Sequence, residues 1–176
     1  AHPFLDGNGR LGRLLITLML INDGVLHSCL FYPSFQFKKN RSEYYRQLTS
    51  VRERGTFEEW IEFFCASLLE SAKDSVGSLK SLVDLHNRST SVITEKLGKA
   101  VANGQRLLSL LEEHPIVDTA FIAAQLDIGR STASSLVKSF EELNILCPLD
   151  ESKQRYRQYG YEEYLSILRE DADPIR

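Results

Sequence analysis

The sequence predicts a mainly α protein: part of a helical bundle, then a long connector helix, then a C-terminal winged helix-turn-helix. Three observations predict it. Apolar residues recur at i, i+3 and i+4 through residues 10–22 and through much of 34–103. A dense Gly- and Arg-rich run stands directly before the first of these helices. Past Asn103-Gly104, two short helical segments flank a tight turn and lead into alternating, strand-like residues. The division that follows is 1–70 for the bundle part, 71–103 for the connector and 104–176 for the winged helix.

Taken in order, Asn8 or Gly9 opens a helix over 10–22, with Leu11, Leu14, Leu15, Leu18 and Ile21 on one face and Asn22-Asp23-Gly24 as its stop. Residues 25–33 read as extended and apolar. A second helix is expected over 34–54, ending at Gly55. Thr56 and Glu59 make a capping box for a third, with Trp60, Phe63 and Phe64 on its packing face. The rhythm continues through Val76, Leu79, Val83, Val92, Ile93, Leu97 and Val101, as one long helix or two broken near 86–91. Helices over 105–113, 119–126 and 131–143 come next, with Asp127-Ile128-Gly129 as the turn between the last two. Ile145 and Leu146, then 155–159, read as strands, and 161–168 as a closing helix.

The 176 residues are 43% hydrophobic with a net charge of −3, which gives a foldable core and excludes a disordered chain. The longest apolar run, 14–21, is interrupted by Thr17 and falls short of the roughly 18 residues of a spanning helix, so no membrane association is expected. Cys29, Cys65 and Cys147 are odd in number and widely spaced, which suits reduced thiols in the cytoplasm better than a disulfide or zinc framework. The chain starts Ala1-His2 without an initiator Met, and we read it as a fragment of a longer protein.

The chemistry is concentrated in His2-Pro3-Phe4-Leu5-Asp6-Gly7-Asn8-Gly9-Arg10-Leu11-Gly12-Arg13. Gly7-x-Gly9-x-x-Gly12 has dinucleotide-fingerprint spacing but no preceding strand or following βαβ unit. Gly7 and Gly12 have Walker spacing, yet Arg13 and Leu14 replace the required Lys and Ser or Thr. A calcium loop lacks its central Gly and terminal Glu. The physics common to these motifs remains. Glycines around Asn8 let several backbone N–H groups face one concavity, and a helix start adds its positive end there. Arg10 and Arg13, three apart on one helix face, are placed to clamp a polyphosphate. Asp6 is a hard oxygen ligand for a magnesium ion shared with phosphates, and His2 a base for an incoming hydroxyl.

This segment resembles the signature of the Fic proteins, H-x-F-x-[DE]-G-N-G-R-x-x-R, and fills each fixed position: His2, Phe4, Asp6, Gly7, Asn8, Gly9, Arg10 and Arg13. The resemblance implies transfer of AMP from ATP to a Tyr, Ser or Thr hydroxyl of a target protein, releasing pyrophosphate. It implies His2 as general base, Asp6 as the Mg²⁺ ligand, and Gly7, Asn8 and Gly9 as the anion hole. Arg10 and Arg13 would hold the outer phosphates, Gly12 would lie among these phosphate-binding residues, and Phe4 would anchor the loop in the core. Relatives that phosphorylate their targets carry Lys where Gly9 stands, so Gly9 favours nucleotidyl transfer. Residues 37–45 are similar to a family stretch whose paired tyrosines, here Tyr44 and Tyr45, lie beside the nucleotide. The family's inhibitory motif, [ST]-x-x-x-E-[GN], is not matched by 91–96 or 109–114, so an inhibitory helix is expected upstream or on another chain. The isolated 176 residues are expected to be weakly active or inactive, and a homodimer is among the expected partners.

Two other readings compete: transfer of a different nucleotide, since no motif residue reads the base, and a DNA-binding regulator with an inactive or sensory Fic half. Arg130, Ser131, Thr132, Ser134, Ser135 and Lys138 resemble a recognition-helix face, with Lys153, Arg155 and Arg157 along a wing. Charge opposes DNA: residues 103–176 carry a net of −5, whereas 1–102 carry +2. A protein-interaction or dimerisation role ranks above DNA binding. His27, His86 and His114 have no ligand spacing and read as surface or capping residues.

Overall fold

The computed structural model describes residues 4–26, 34–150 and 157–170. It is mainly helical, in the order α1 (Asn8–Asn22), α2 (Ser34–Lys39), α3 (Arg41–Arg54), α4 (Phe57–Lys96), a 3-10 turn (Gly98–Ala100), α5 (Val101–Glu113), β1 (Ile116–Asp118), α6 (Thr119–Leu126), α7 (Arg130–Glu142), β2 (Cys147–Pro148), β3 (Gln158–Gly160) and α8 (Glu162–Glu170). The described chain divides into two compact units, with the boundary between Ser78 and Leu79, inside α4.

In the first unit α1 ends as its sequence dictates: Asp23 caps it and Gly24, at φ 71°, donates its N–H to Ile21. The leucine face is real, but Leu11, Leu14, Leu15, Leu18 and Met19 are all exposed among the described residues. The helix expected over 34–54 is two helices. Asn40, at φ −104° and ψ 37°, leaves helical geometry between them, and its amide Nδ2 donates to the Gln36 carbonyl that its N–H also reaches. Gly55 closes α3 at φ 70°. Thr56 precedes α4, but its hydroxyl lies 2.6 Å from the hydroxyl of Ser50 in α3, a tertiary contact in place of the expected capping box. The buried Phe37 is the hub of this unit, ringed by Tyr44, Phe63 and Phe64 at 5.3, 6.5 and 5.7 Å, with Trp60 against Tyr44, Phe63 and Phe64. The buried amide of Gln36 donates to the Asp74 carboxylate, which fastens α2 to α4.

α4 runs without a break through 86–91, which decides between the one-helix and two-helix expectations. Its second half belongs to the second unit, where Leu85 and Ile93 enter a core with Leu107, Leu108, Leu111, Ile122, Leu136, Val137, Phe140, Leu146 and Tyr161. Asn103 and Gly104 lie inside α5, earlier than the expected helix start at 105. Gly104 is buried, and a Cβ there would come within 2.6 Å of Leu97 Cδ1 and 2.9 Å of Ile93 Cγ2. The glycine permits α5 to approach α4 closely.

β1 was not visible in the sequence. It pairs antiparallel with β3, Ile116 opposite Gly160, and β3 also pairs with β2, giving the sheet order β1-β3-β2. Asp118 then caps α6, its Oδ1 accepting the Phe121 N–H at 2.8 Å. Asp127, left-handed at φ 52°, makes the turn into α7, and Asn144 at φ 57° ends it. Tyr161 is fully buried, and its hydroxyl meets Ser89 of α4 at 2.9 Å. Arg88 donates to Glu163 at 2.7 Å and Tyr164 to the Glu112 carbonyl at 3.0 Å, fixing α8 to α4 and α5.

Candidate anion-binding loop

Gly7 makes the turn that starts α1, with φ 80° and ψ 0° in the left-handed region that a side chain disfavours. The first intrahelical bond runs from the Leu11 N–H to the Gly7 carbonyl at 3.0 Å. The helix therefore offers no acceptor to the N–H groups of Asn8, Gly9 and Arg10, and no side chain caps them from the Gly7 position. Three donors and the positive end of a 15-residue helix thus meet at one place.

The loop ahead of them is closed by its own side chains. Asn8 Oδ1 accepts the Phe4 N–H at 3.1 Å, and Asn8 Nδ2 donates to the Phe4 carbonyl at 2.6 Å. Asp6 Oδ1 accepts the Gly7 N–H at 2.6 Å. That bond takes the Gly7 N–H away from the expected anion hole and leaves the second carboxylate oxygen of Asp6 at the exposed tip. Phe4, expected in the core, is 60% exposed, so here its backbone and not its ring secures the loop.

Arg10 is exposed and Arg13 half-buried on the first two turns of α1. Arg13 Nη1 lies 3.5 Å from where a Cβ on Gly9 would stand, so its guanidinium folds back over the helix start. A Cβ on Gly12 would meet no atom within 4 Å. The expected base, His2, lies outside the described residues, as do His27, Cys29, Lys153 and Arg155.

Tyr44 and Tyr45 meet each other edge-on at 5.4 Å. Tyr44 is half-buried between Phe37 and Trp60. Tyr45 is 53% exposed, with the Arg41 guanidinium 5.6 Å above its ring. Among the described residues no hydrogen bond or ring contact joins either tyrosine to residues 4–13. Sequence reasoning missed Arg41, whose signal was its place four residues before Tyr45 on one helix face.

Among the described residues no group of three His, Cys, Asp or Glu side chains could hold a metal on its own. Asp6 with one uncommitted carboxylate oxygen suits a different arrangement, a magnesium ion held by one carboxylate, waters and substrate phosphates. His86 Nδ1 lies 2.7 Å from Glu112, and His114 caps α5 with its ring edge-on to Phe121 at 5.2 Å, so both are structural. Arg130, Ser131, Thr132, Ser134, Ser135 and Lys138 are all exposed on α7, with Lys138 4.0 Å from Glu142. No helix among the described residues is long and apolar enough to cross a membrane.

A left-handed glycine, three helix-start amides, two arginines and an acidic tip define a candidate polyphosphate-binding loop on a mainly helical scaffold. No family model matches the chain. Several curated proteins are similar to part of it, among them two adenylyltransferases. Protein adenylyltransferase fic-1 of Caenorhabditis elegans is 31% identical over 83 residues, which is 47% of this chain and 15% of that protein. Protein adenylyltransferase fic-1 of Caenorhabditis briggsae is 31% identical over 80 residues, 46% of this chain and 14% of that protein. The match thus spans a small part of either relative's length.

Proposed function

We propose that this chain carries the nucleotide-binding and catalytic loop of a protein adenylyltransferase. The reaction is attack of a target Tyr, Ser or Thr oxygen on the α-phosphorus of ATP. The bond to the β-phosphate breaks, pyrophosphate leaves, and the hydroxyl proton passes to His2. The observation that carries the reading is the uncapped start of α1 behind left-handed Gly7, set within a segment that fills each fixed position of the Fic signature.

Each residue has a stated task. The N–H groups of Asn8, Gly9 and Arg10 receive phosphate oxygens, and Arg10 and Arg13 neutralise the outer phosphates from one helix face. The absence of a side chain at Gly9 and Gly12 leaves the approach open. Asp6 would hold Mg²⁺, which neutralises charge on the phosphates when bound. Tyr45, exposed and already under a cation, offers a face for the base, and Tyr44 backs it within the aromatic cluster. The reading as cytoplasmic follows from an odd number of widely spaced cysteines, of which Cys65 and Cys147 are free thiols.

We read the second unit as a winged helix-turn-helix serving protein contacts, with a second copy of the chain as one partner. The order α5, α6, α7 and the sheet order β1-β3-β2 support it. DNA remains the disfavoured partner because the 103–176 segment is acidic.

The test incubates the full-length protein with ATP, Mg²⁺ and cell lysate, and reads AMP adducts on Tyr, Ser or Thr by mass spectrometry. Adducts with the wild type and a loss of about a hundredfold or more with His2→Ala are expected from the general-base role. Equal labelling by His2→Ala contradicts the mechanism. Competition with GTP, UTP and CTP tells ATP transfer from transfer of another nucleotide.

A further inference from the structure

We propose that the Asn8 side chain is a clasp that holds the loop before α1 in its working shape, and that it is a positioning residue instead of a phosphate ligand. The proposal rests on the adenylyltransferase reading only in naming what the loop receives. A single carboxamide presents one acceptor and one donor to the backbone of a single residue, Phe4, at 3.1 and 2.6 Å. It pairs with Phe4 as a neighbouring strand would and closes a five-residue ring of chain with Asp6 at its tip. Asp6 is then held a second time by the Gly7 N–H.

The phosphate donors have a different origin. The amides of Asn8, Gly9 and Arg10 are oriented by α1 itself, whose first turn closes through Leu11 and Gly7 without help from the Asn8 side chain. Removing that side chain leaves the donors in place and frees the segment that carries Asp6 and leads back to His2. Binding and chemistry should therefore separate, because a displacement of about 1 Å at reacting groups costs up to about a hundredfold in rate.

Asn8→Ala in the full-length protein is the test, read three ways. Amide hydrogen exchange at Phe4 should quicken by about tenfold or more, while residues 12–16 of α1 keep their protection. The rate kcat should fall by about tenfold or more, while the Kd for α,β-methylene-ATP, which cannot transfer AMP, changes by less than about threefold. A Kd weakened about tenfold with Phe4 exchange unchanged would make Asn8 a phosphate ligand and overturn the proposal. Should Asn8→Ala loosen α1 itself, exchange of the wild-type Phe4 amide decides: protection of about tenfold or more over an unfolded chain is expected, and exchange as fast as in an unfolded loop would refute the clasp. If the wild type transfers no AMP, the functional reading fails, and the exchange measurements still decide the clasp.

Discussion

Gly7 shows how one residue sets the chemistry of the loop. At φ 80° it turns the chain so that α1 begins with its amides unclaimed. A side chain in that conformation costs about 1–2 kcal/mol, so Gly7→Ala should weaken Mg·ATP binding by about tenfold, read by calorimetry. Unchanged affinity would show that the turn is not needed for binding. Asp6→Ala should abolish the magnesium dependence of whatever activity remains, read by titrating the metal against labelling rate. These residues were legible in the sequence because the chemistry is dense and local. Phe4 was not: the family resemblance implies a core anchor, whereas its contribution here is backbone that Asn8 grips. Tyr44 and Tyr45 were legible as a pair, but only coordinates separate the half-buried ring on Trp60 from the exposed one under Arg41.

Elements behave the same way, with local signals readable and tertiary ones hidden. The stops at Gly24 and Gly55 and the helix Thr119–Leu126 follow from sequence chemistry alone. β1 does not, since three residues become a strand only through Gln158–Gly160, some forty positions away. Thr56 likewise reads as a capping residue until Ser50 takes its hydroxyl. The packing of α5 on α4 depends on Gly104, and Gly104→Ala should destabilise the second unit by about 1–3 kcal/mol, seen as a lowered Tm, because Ile93 is fully buried against it. Tyr161 gives a pH test of the α4 contact. Burial raises its pKa above the ordinary 10.0, against the opposing hydrogen bond from Ser89. The folded chain therefore holds this proton more tightly than the unfolded chain. The contribution is whole below pH 10.0 and is lost as pH rises from there through the raised folded value. Tyr164, also raised by burial, titrates in the same sense. Denaturant unfolding followed above pH 10.0 should show stability falling with pH, with a shallower fall in Tyr161→Phe; an equal slope in the variant would contradict it.

At the scale of the whole molecule the charge is divided, +2 over residues 1–102 and −5 over 103–176, a contrast that the overall −3 conceals. The basic half holds the candidate phosphate loop, and the acidic half opposes nucleic acid. A duplex mobility-shift assay at low salt should show no band shift by the chain; a shift that disappears with added salt would restore the DNA reading. The fold class was legible because helical periodicity runs through most of the sequence. The placement of the apolar face of α1 was not, since periodicity identifies a face without saying what covers it. In the proposed function the loop delivers the α-phosphate of ATP to a protein hydroxyl. Parallel reactions of the full-length protein with α-labelled and γ-labelled ATP test it most directly. Label on protein is expected from the α-phosphate only, with the γ-label released in pyrophosphate. Label on protein from the γ-phosphate would contradict it.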